Sequence, residues 1–367
     1  MKKLIALLLA LAALFTLFSC SDEYPPVEST EEESRVVMRL SVDGRTYDVK
    51  YELYRALFLS NKSTVDGGDD SVWSSENKAQ YVEAINKIIL DKVSDIYACI
   101  HLAGKIGDDV YSNEYENRIK EYIRINVEGN GSITGHGSYD AYLASLKDNY
   151  MNYSVSVLMM RYAYALERIK TYYYGDESDP LDKGGELSFT ESDVKSFYTS
   201  DDCSRFLQAF MQKGVMTEEQ IEDFRDILDS KSSDMEVALS IIGNTTATAT
   251  DLISDGKIVG TVIGKYSLDN AYFSEYTEAA FSTPIGELSE VVTVEGVSDG
   301  YSDGYYILYR LDKSDDHFTE AYETIAEAYK THKVGEIIEE IKLSLSENHS
   351  FTDDGKAIDH SAVSMTP

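Results

Sequence analysis

The alternation of apolar and polar positions divides this chain into a helical stretch, a mixed stretch and a closing helix. Residues 35–49 alternate around Asp43-Gly44, the pattern of two short strands joined by a tight turn. Near residue 50 the period becomes helical, with Tyr51, Tyr54, Leu57 and Phe58 recurring at helical spacing. A long amphipathic helix is predicted over 75–103, striped by Tyr81, Ala84, Ile85, Ile88, Ile89 and Val93, and a further helix over 112–125. Ser138 is placed as an N-cap with Asp140 in the first turn behind it. Residues 150–174 then carry Val155, Leu158, Met159, Tyr162, Leu166 and Ile169 on one side.

The mixed stretch opens with Thr190 capping a helix, followed by a strand over 203–212 and a helix that begins with the capping box Thr217-Glu218-Glu219-Gln220. After a helix over 235–242 comes a short apolar helix, 276–281. The turn Thr283-Pro284-Ile285-Gly286, a strand starting near Leu288 and a returning strand over 304–311 complete the stretch. A last long helix is expected over 317–345, with Phe318, Tyr322, Ile325, Val334, Ile338 and Ile341 on its stripe. Beyond residue 348 the chain has the composition of a polar tail.

Between these elements, polar segments invite chemistry that their spacing does not support. The run Asp66-Gly67-Gly68-Asp69-Asp70 lacks alternating oxygen ligands and reads as a solvated turn. Glycine-rich residues 129–137 lack the lysine and the strand-to-helix setting of a phosphate cradle, so a mobile inter-helix loop is expected. Residues 175–185, acidic and bearing Pro180, have linker composition. The six histidines are scattered, and no HExxH, GxSxG or Cys/His metal spacing occurs, so no metal or other cofactor is expected.

Charge narrows the partners. Against 33 basic residues stand 65 acidic ones, a net charge of −32, which repels nucleic-acid phosphates and anionic lipid head groups. At the N-terminus Lys2 and Lys3 precede an apolar run over 4–17, too short for a comfortable span, and Leu17-Phe18-Ser19-Cys20 comes next. This resembles a bacterial lipoprotein signal, although Phe18 is bulkier than usual at its position. It implies a cleaved leader (1–19), lipidation at Cys20 and an extracytoplasmic protein anchored to a bacterial membrane. An ordinary secretory leader or a short uncleaved anchor are the alternatives. Residues 20–34, with Pro25-Pro26 and Glu31-Glu32-Glu33, are expected to form a disordered acidic tether. Cys99 and Cys203 read as buried, unpaired thiols, with pairing in an oxidising compartment as the alternative.

The stretch over 272–311 carries the most specific resemblance. Ala279-Ala280-Phe281, Gly286-Glu287-Leu288-Ser289 and Gly304-Tyr305-Tyr306 are similar in order and spacing to the end of a parvulin-type peptidyl-prolyl isomerase domain. The segment 189–198 resembles the helix that joins the helical domain of SurA-like and PrsA-like extracytoplasmic foldases to that module. The resemblance implies an α+β protein: a discontinuous, all-helical SurA-like chaperone domain (35–200, with a returning helix at 315–348) and an inserted parvulin-like domain (201–314). The inserted domain would be a four-stranded antiparallel sheet flanked by helices, and 349–367 a tail. By position, Phe206 and Tyr306 stand where the family has its two histidines. Tyr272 matches its methionine, and Tyr276 and Phe281 its phenylalanines.

The resemblance therefore implies a groove of Phe206, Tyr272, Tyr276, Phe281 and Tyr306 for extended polypeptide, with no assigned catalytic residue. Phe281 also fits plain core packing, and Tyr272 and Tyr276 fit core and groove equally. Three functions are expected candidates: a tethered chaperone for unfolded or nascent secreted chains with weak or lost isomerase activity, an active parvulin, or a lipoprotein binding a solute or cell-wall component. A homodimer is compatible with each.

Overall fold

In the computed structural model the described residues are 24–175, 185–244, 253–254, 256–267, 274–294 and 304–364. They fall into two compact units: one runs up to Tyr172 and resumes at Ile338, and the other is Tyr173–Ile337. The leader, Cys20, most of the linker after Tyr174 and Tyr272 lie outside the described residues.

The first unit opens with a short helix, α1 (Glu31–Ser34), where a disordered tether was expected. The glutamates that suggested a solvated run build a capping box instead: Thr30 accepts from the Glu33 N–H while the Glu33 carboxylate takes the Thr30 N–H. Glu33 also receives Arg55 at 2.8 Å, and Tyr139 donates to the Pro25 carbonyl at 2.6 Å, so the segment is fastened from both sides. The hairpin β1 (Val36–Val42) and β2 (Arg45–Lys50) turns at Asp43 and Gly44, with φ of 50° and 74°. Next come α2 (Tyr51–Asp66), α3 (Lys78–Lys105), α4 (Asn113–Glu128), α5 (Tyr139–Asp148) and α6 (Tyr153–Tyr174). Of the predicted stripes of α3 and α6, Ile85, Ile89, Val93, Val155, Met159, Tyr162, Leu166 and Ile169 are buried, Tyr81, Ile88 and Leu158 are half-buried, and Ala84 is exposed at the edge of its stripe.

The glycine-rich loop after α4 is bound rather than free. The His136 N–H donates to the Asn126 carbonyl and the Gly137 N–H to the Val127 carbonyl of the helix end, each at 2.8 Å. A Cβ on Gly135 would lie 2.2 Å from the Gly129 nitrogen, so glycine is what allows the fold-back.

The second unit begins with α7 (Glu191–Thr199), closed by a Thr190/Asp193 capping box. There follow β3 (Cys203–Gln212), α8 (Glu218–Asp229), α9 (Asp234–Asn244), a ribbon of β4 (Ile253–Ser254) and β5 (Lys257–Ile258), β6 (Thr261–Gly264), α10 (Ser274–Ser282), β7 (Val292–Val294) and β8 (Gly304–Arg310). Four of these strands form an antiparallel sheet in the order β6-β3-β8-β7. The closing helix is two: α11 (Asp315–Glu320) and α12 (Tyr322–Glu347), separated by Ala321 at φ −107° and ψ 20°.

After α12 the chain is again in the first unit. Instead of a polar tail it supplies β9 (His349–Phe351), antiparallel to β1, and α13 (Asp353–Lys356). The resulting sheet, β2-β1-β9, means that this unit is not all-helical. Residues past the strand are held as well: Thr352 donates to the Val36 carbonyl at 2.7 Å, and His360 stacks on Trp73 with centroids 6.2 Å apart while its Nε2 meets the Tyr54 hydroxyl at 2.8 Å. Cys99 and Cys203 are both buried and unpaired. Burial pushes the Cys203 thiol up to about 12.

Candidate functional site

Because side chains on a strand alternate between faces, β3 separates two kinds of residue. Leu207, Ala209 and Met211 point to one side and pack with Ile307, Leu311 and the inner faces of α8 and α9. Phe206, Gln208 and Phe210 belong to the other face, where Phe206 joins Tyr276, Ala280, Val292, Tyr306 and Leu308 in a second cluster with Phe210 and Phe281 packed against it. The second face is the candidate site.

Helix α10 is fixed over this face at its C-terminal end by two side chains. The buried Ser204 hydroxyl donates to the Ala280 carbonyl. Arg310 donates to the carbonyls of Phe281 and Thr283 at 2.7 and 2.9 Å, satisfying orphan acceptors at the helix C-terminus with a cation. Gly286, at φ 80°, then turns the chain so that Gly286-Glu287-Leu288-Ser289 runs along β8. Gly286 N–H donates to the Arg310 carbonyl at 2.8 Å, Arg310 N–H to Glu287 at 3.1 Å, and Ser289 N–H to Leu308 at 2.7 Å. The Ser289 hydroxyl takes the Leu308 N–H at 3.0 Å in return. Gly304 is required where β8 starts: a Cβ there would lie 2.4 Å from the Met211 carbonyl oxygen and 2.6 Å from the Phe210 ring.

Tyr276 lies between Phe206 and Tyr306. Its ring is edge-on to Phe206 at 5.7 Å and to Tyr306 at 5.2 Å between centroids. Edge-to-face pairs of this kind add about 0.5–1.5 kcal/mol beyond their buried area. The phenol donates to Gln208 Oε1, placing one hydrogen-bonded pair inside the aromatic wall.

The register does not put Phe206 and Tyr306 side by side. Tyr306 is opposite Phe210, and their rings pack at 4.8 Å, whereas Phe206 is opposite Arg310 and Gln208 opposite Leu308. Strand-to-strand partners depend on where the hairpin closes, which the residue order alone does not specify. Phe206, Tyr276, Phe281 and Tyr306 are thus brought into one cluster, and Tyr272 lies outside the described residues. Sequence reasoning missed Gln208 and Phe210, though their two-residue spacing from Phe206 marks them as its face-mates.

The residues of this face, Phe206, Gln208, Phe210, Tyr276, Tyr306 and Leu308, include no histidine, cysteine or carboxylate. They offer apolar and aromatic area, a phenol and a carboxamide: a surface for an extended apolar segment with a hydrogen-bonding backbone, without an acid or base that titrates near neutrality. Among the described residues no group of three or more His, Cys, Asp or Glu could hold a metal ion, and no helix is long and apolar enough to cross a membrane.

No protein-family model matches the chain, and no curated protein matches it. Among solved structures the chain is similar to PrsA from Bacillus subtilis, at 13% identity over 86% of this chain and 93% of that one, with a TM-score of 0.25. Foldase protein PrsA from Streptococcus pneumoniae aligns at 14% identity over 86% and 96%, with a TM-score of 0.28. The PrsA foldase from Lactococcus lactis aligns at 12% over 90% and 100%, with a TM-score of 0.24. Superpositions at these scores carry no weight for function, which rests on the sheet and its two faces.

Proposed function

We propose that this chain is a membrane-tethered extracytoplasmic chaperone of the foldase type, whose second unit is a parvulin-like module that binds extended polypeptide and isomerises prolyl bonds weakly or not at all. One observation carries the proposal: α10 packs across one face of an antiparallel sheet, where the side chains of the cluster are aromatic, aliphatic or uncharged hydrogen-bonding groups and the one cation beside them, Arg310, is engaged on the carbonyls at the end of the helix.

Prolyl isomerisation makes and breaks no bond. Its barrier, about 18–20 kcal/mol, comes from the partial double-bond character of the amide, and a catalyst must favour the twisted state over both planar ones. The aromatic wall supplies affinity for apolar side chains, while the Tyr276–Gln208 pair is the polar feature that a peptide backbone would meet. At the positions that the resemblance gives to the histidines stand Phe206 and Tyr306, whose apolar rings bind both planar states without distinguishing the twisted one. Uniform binding of that kind yields a holdase.

The tether is part of the same proposal and is supported by the basic start, the apolar run and Cys20. Incorporation of labelled palmitate, abolished by Cys20→Ala, is the expected result. For the module, suppression of aggregation of a denatured client is expected together with no acceleration of a proline-limited refolding phase. A large acceleration that Tyr276→Ala removes would establish the active-isomerase reading in its place.

A further inference from the structure

Helix α9 is apolar on two sides. Val237, Ala238 and Ile241 are buried against the sheet, but Met235, Leu239 and Ile242 recur at i, i+4 and i+7 on the outside, with Leu239 57% and Ile242 46% exposed. On the neighbouring helix α8, Ile227 is also 47% exposed. The stripe is continuous at Met235 with an open cleft of about 620 Å³, whose wall holds Asp234, Asp316 and Glu320 together with Lys257, which is paired with Glu320, and Arg205, which is turned onto backbone carbonyls. The surroundings are acidic: residues 218–244 hold Glu218, Glu219, Glu222, Asp223, Asp226, Asp229, Asp234 and Glu236 against Arg225 and Lys231. Arg225 is already engaged, on the Ser289 carbonyl and Glu290. An apolar row that leads into a cleft whose own cations are already engaged and whose carboxylates outnumber them fits a ligand with apolar residues on one side and cations beside them. A second copy of this chain, with its net charge of −32, is a poor electrostatic match.

We propose that the outer face of α9, with the acidic cleft at its N-terminal end, is a second polypeptide-docking surface, specific for cationic amphipathic segments. It lies on the helices that cover the aliphatic face of the sheet and is therefore separate from the aromatic face and independent of the reading of that face. The stripe provides apolar contact, and the carboxylates select the charge of the segment.

Binding of a fluorescein-labelled amphipathic peptide of leucine and lysine, about four helical turns long, to the full-length protein tests this by anisotropy. A leucine–glutamate peptide of equal length is the control. The lysine peptide should bind and the glutamate peptide should not. The double change Leu239→Ser/Ile242→Ser should weaken binding about tenfold or more, and Asp316→Asn should flatten its salt dependence. Both sites are solvent-facing, so circular dichroism should be unchanged. Equal binding by the double variant overturns the proposal. So does loss of binding in Tyr276→Ala, which would place the peptide on the aromatic face, and so does a dimer of the wild type that the double change dissolves while peptide does not compete with it.

Discussion

The two faces of β3 are made by one strand and differ in every property that matters for function. Toward α8 and α9, Leu207, Ala209, Met211 and Ile307 are fully buried and aliphatic, a surface whose only demand is close packing. Toward α10, Phe206 is buried but Gln208 and Phe210 are only partly so, and the Tyr276 hydroxyl is spent on a carboxamide. A face built solely for stability would not keep an amide and a phenol among its rings, because such groups contribute little net stability and cost free energy when left unpaired. The difference separates the half of the sheet that holds the unit together from the half that can meet a ligand.

The largest effect that would test this contrast is at the aliphatic face. Ile307→Ala should cost about 2–5 kcal/mol in denaturant unfolding, while client binding per folded molecule stays intact. A cost under about 1 kcal/mol would mean that the faces do not divide labour in this way.

Next in size is a pH effect at the end of the same face. Arg205 reaches past it to the carbonyls of Asp312 and Val259, at 2.7 and 3.3 Å, beside the buried His317. Burial and then the Arg205 charge push the His317 imidazole down to about 4. Between that value and the ordinary 6.5 the unfolded chain takes up a proton that the folded chain refuses. Stability is therefore complete above about pH 6.5, falls as pH drops toward 4 and levels off below, by at most about 3 kcal/mol. Unfolding curves across that window should show the loss, and His317→Gln should remove most of its pH dependence.

The smallest effect belongs to the aromatic face. Tyr276→Phe keeps the ring and deletes its donor to Gln208, so unfolding should lose only about 1 kcal/mol. Suppression of client aggregation should weaken more than that stability change explains. Unaltered client protection would reduce the Tyr276–Gln208 pair to a packing detail.

Much of the fold was legible in the residues. The N-cap at Thr190, the capping box at Thr217, the cap at Ser138, the hairpin turn at Asp43-Gly44 and most of the buried stripes of α3 and α6 are where the sequence puts them. Each depends on groups within about four residues of one another, so local chemistry suffices. The order helix, turn and strand after Tyr276 is visible for the same reason.

What the sequence could not determine is which distant segments meet. Composition made 20–34 a tether and 349–367 a tail, because polar segments have little apolar surface of their own to bury. Partners more than a hundred residues away hold part of each: Tyr139 on Pro25, and β1 and Tyr54 on β9 and His360. The resemblance likewise singled out Phe206 and Tyr306 without saying which residues lie opposite them. Only the closed sheet, through a register fixed by backbone pairing along all of β3 and β8, placed Phe210 opposite Tyr306 and put Tyr276 and Gln208 at the centre. Local propensity fixed the elements, and long-range hydrogen-bond pairing chose their neighbours.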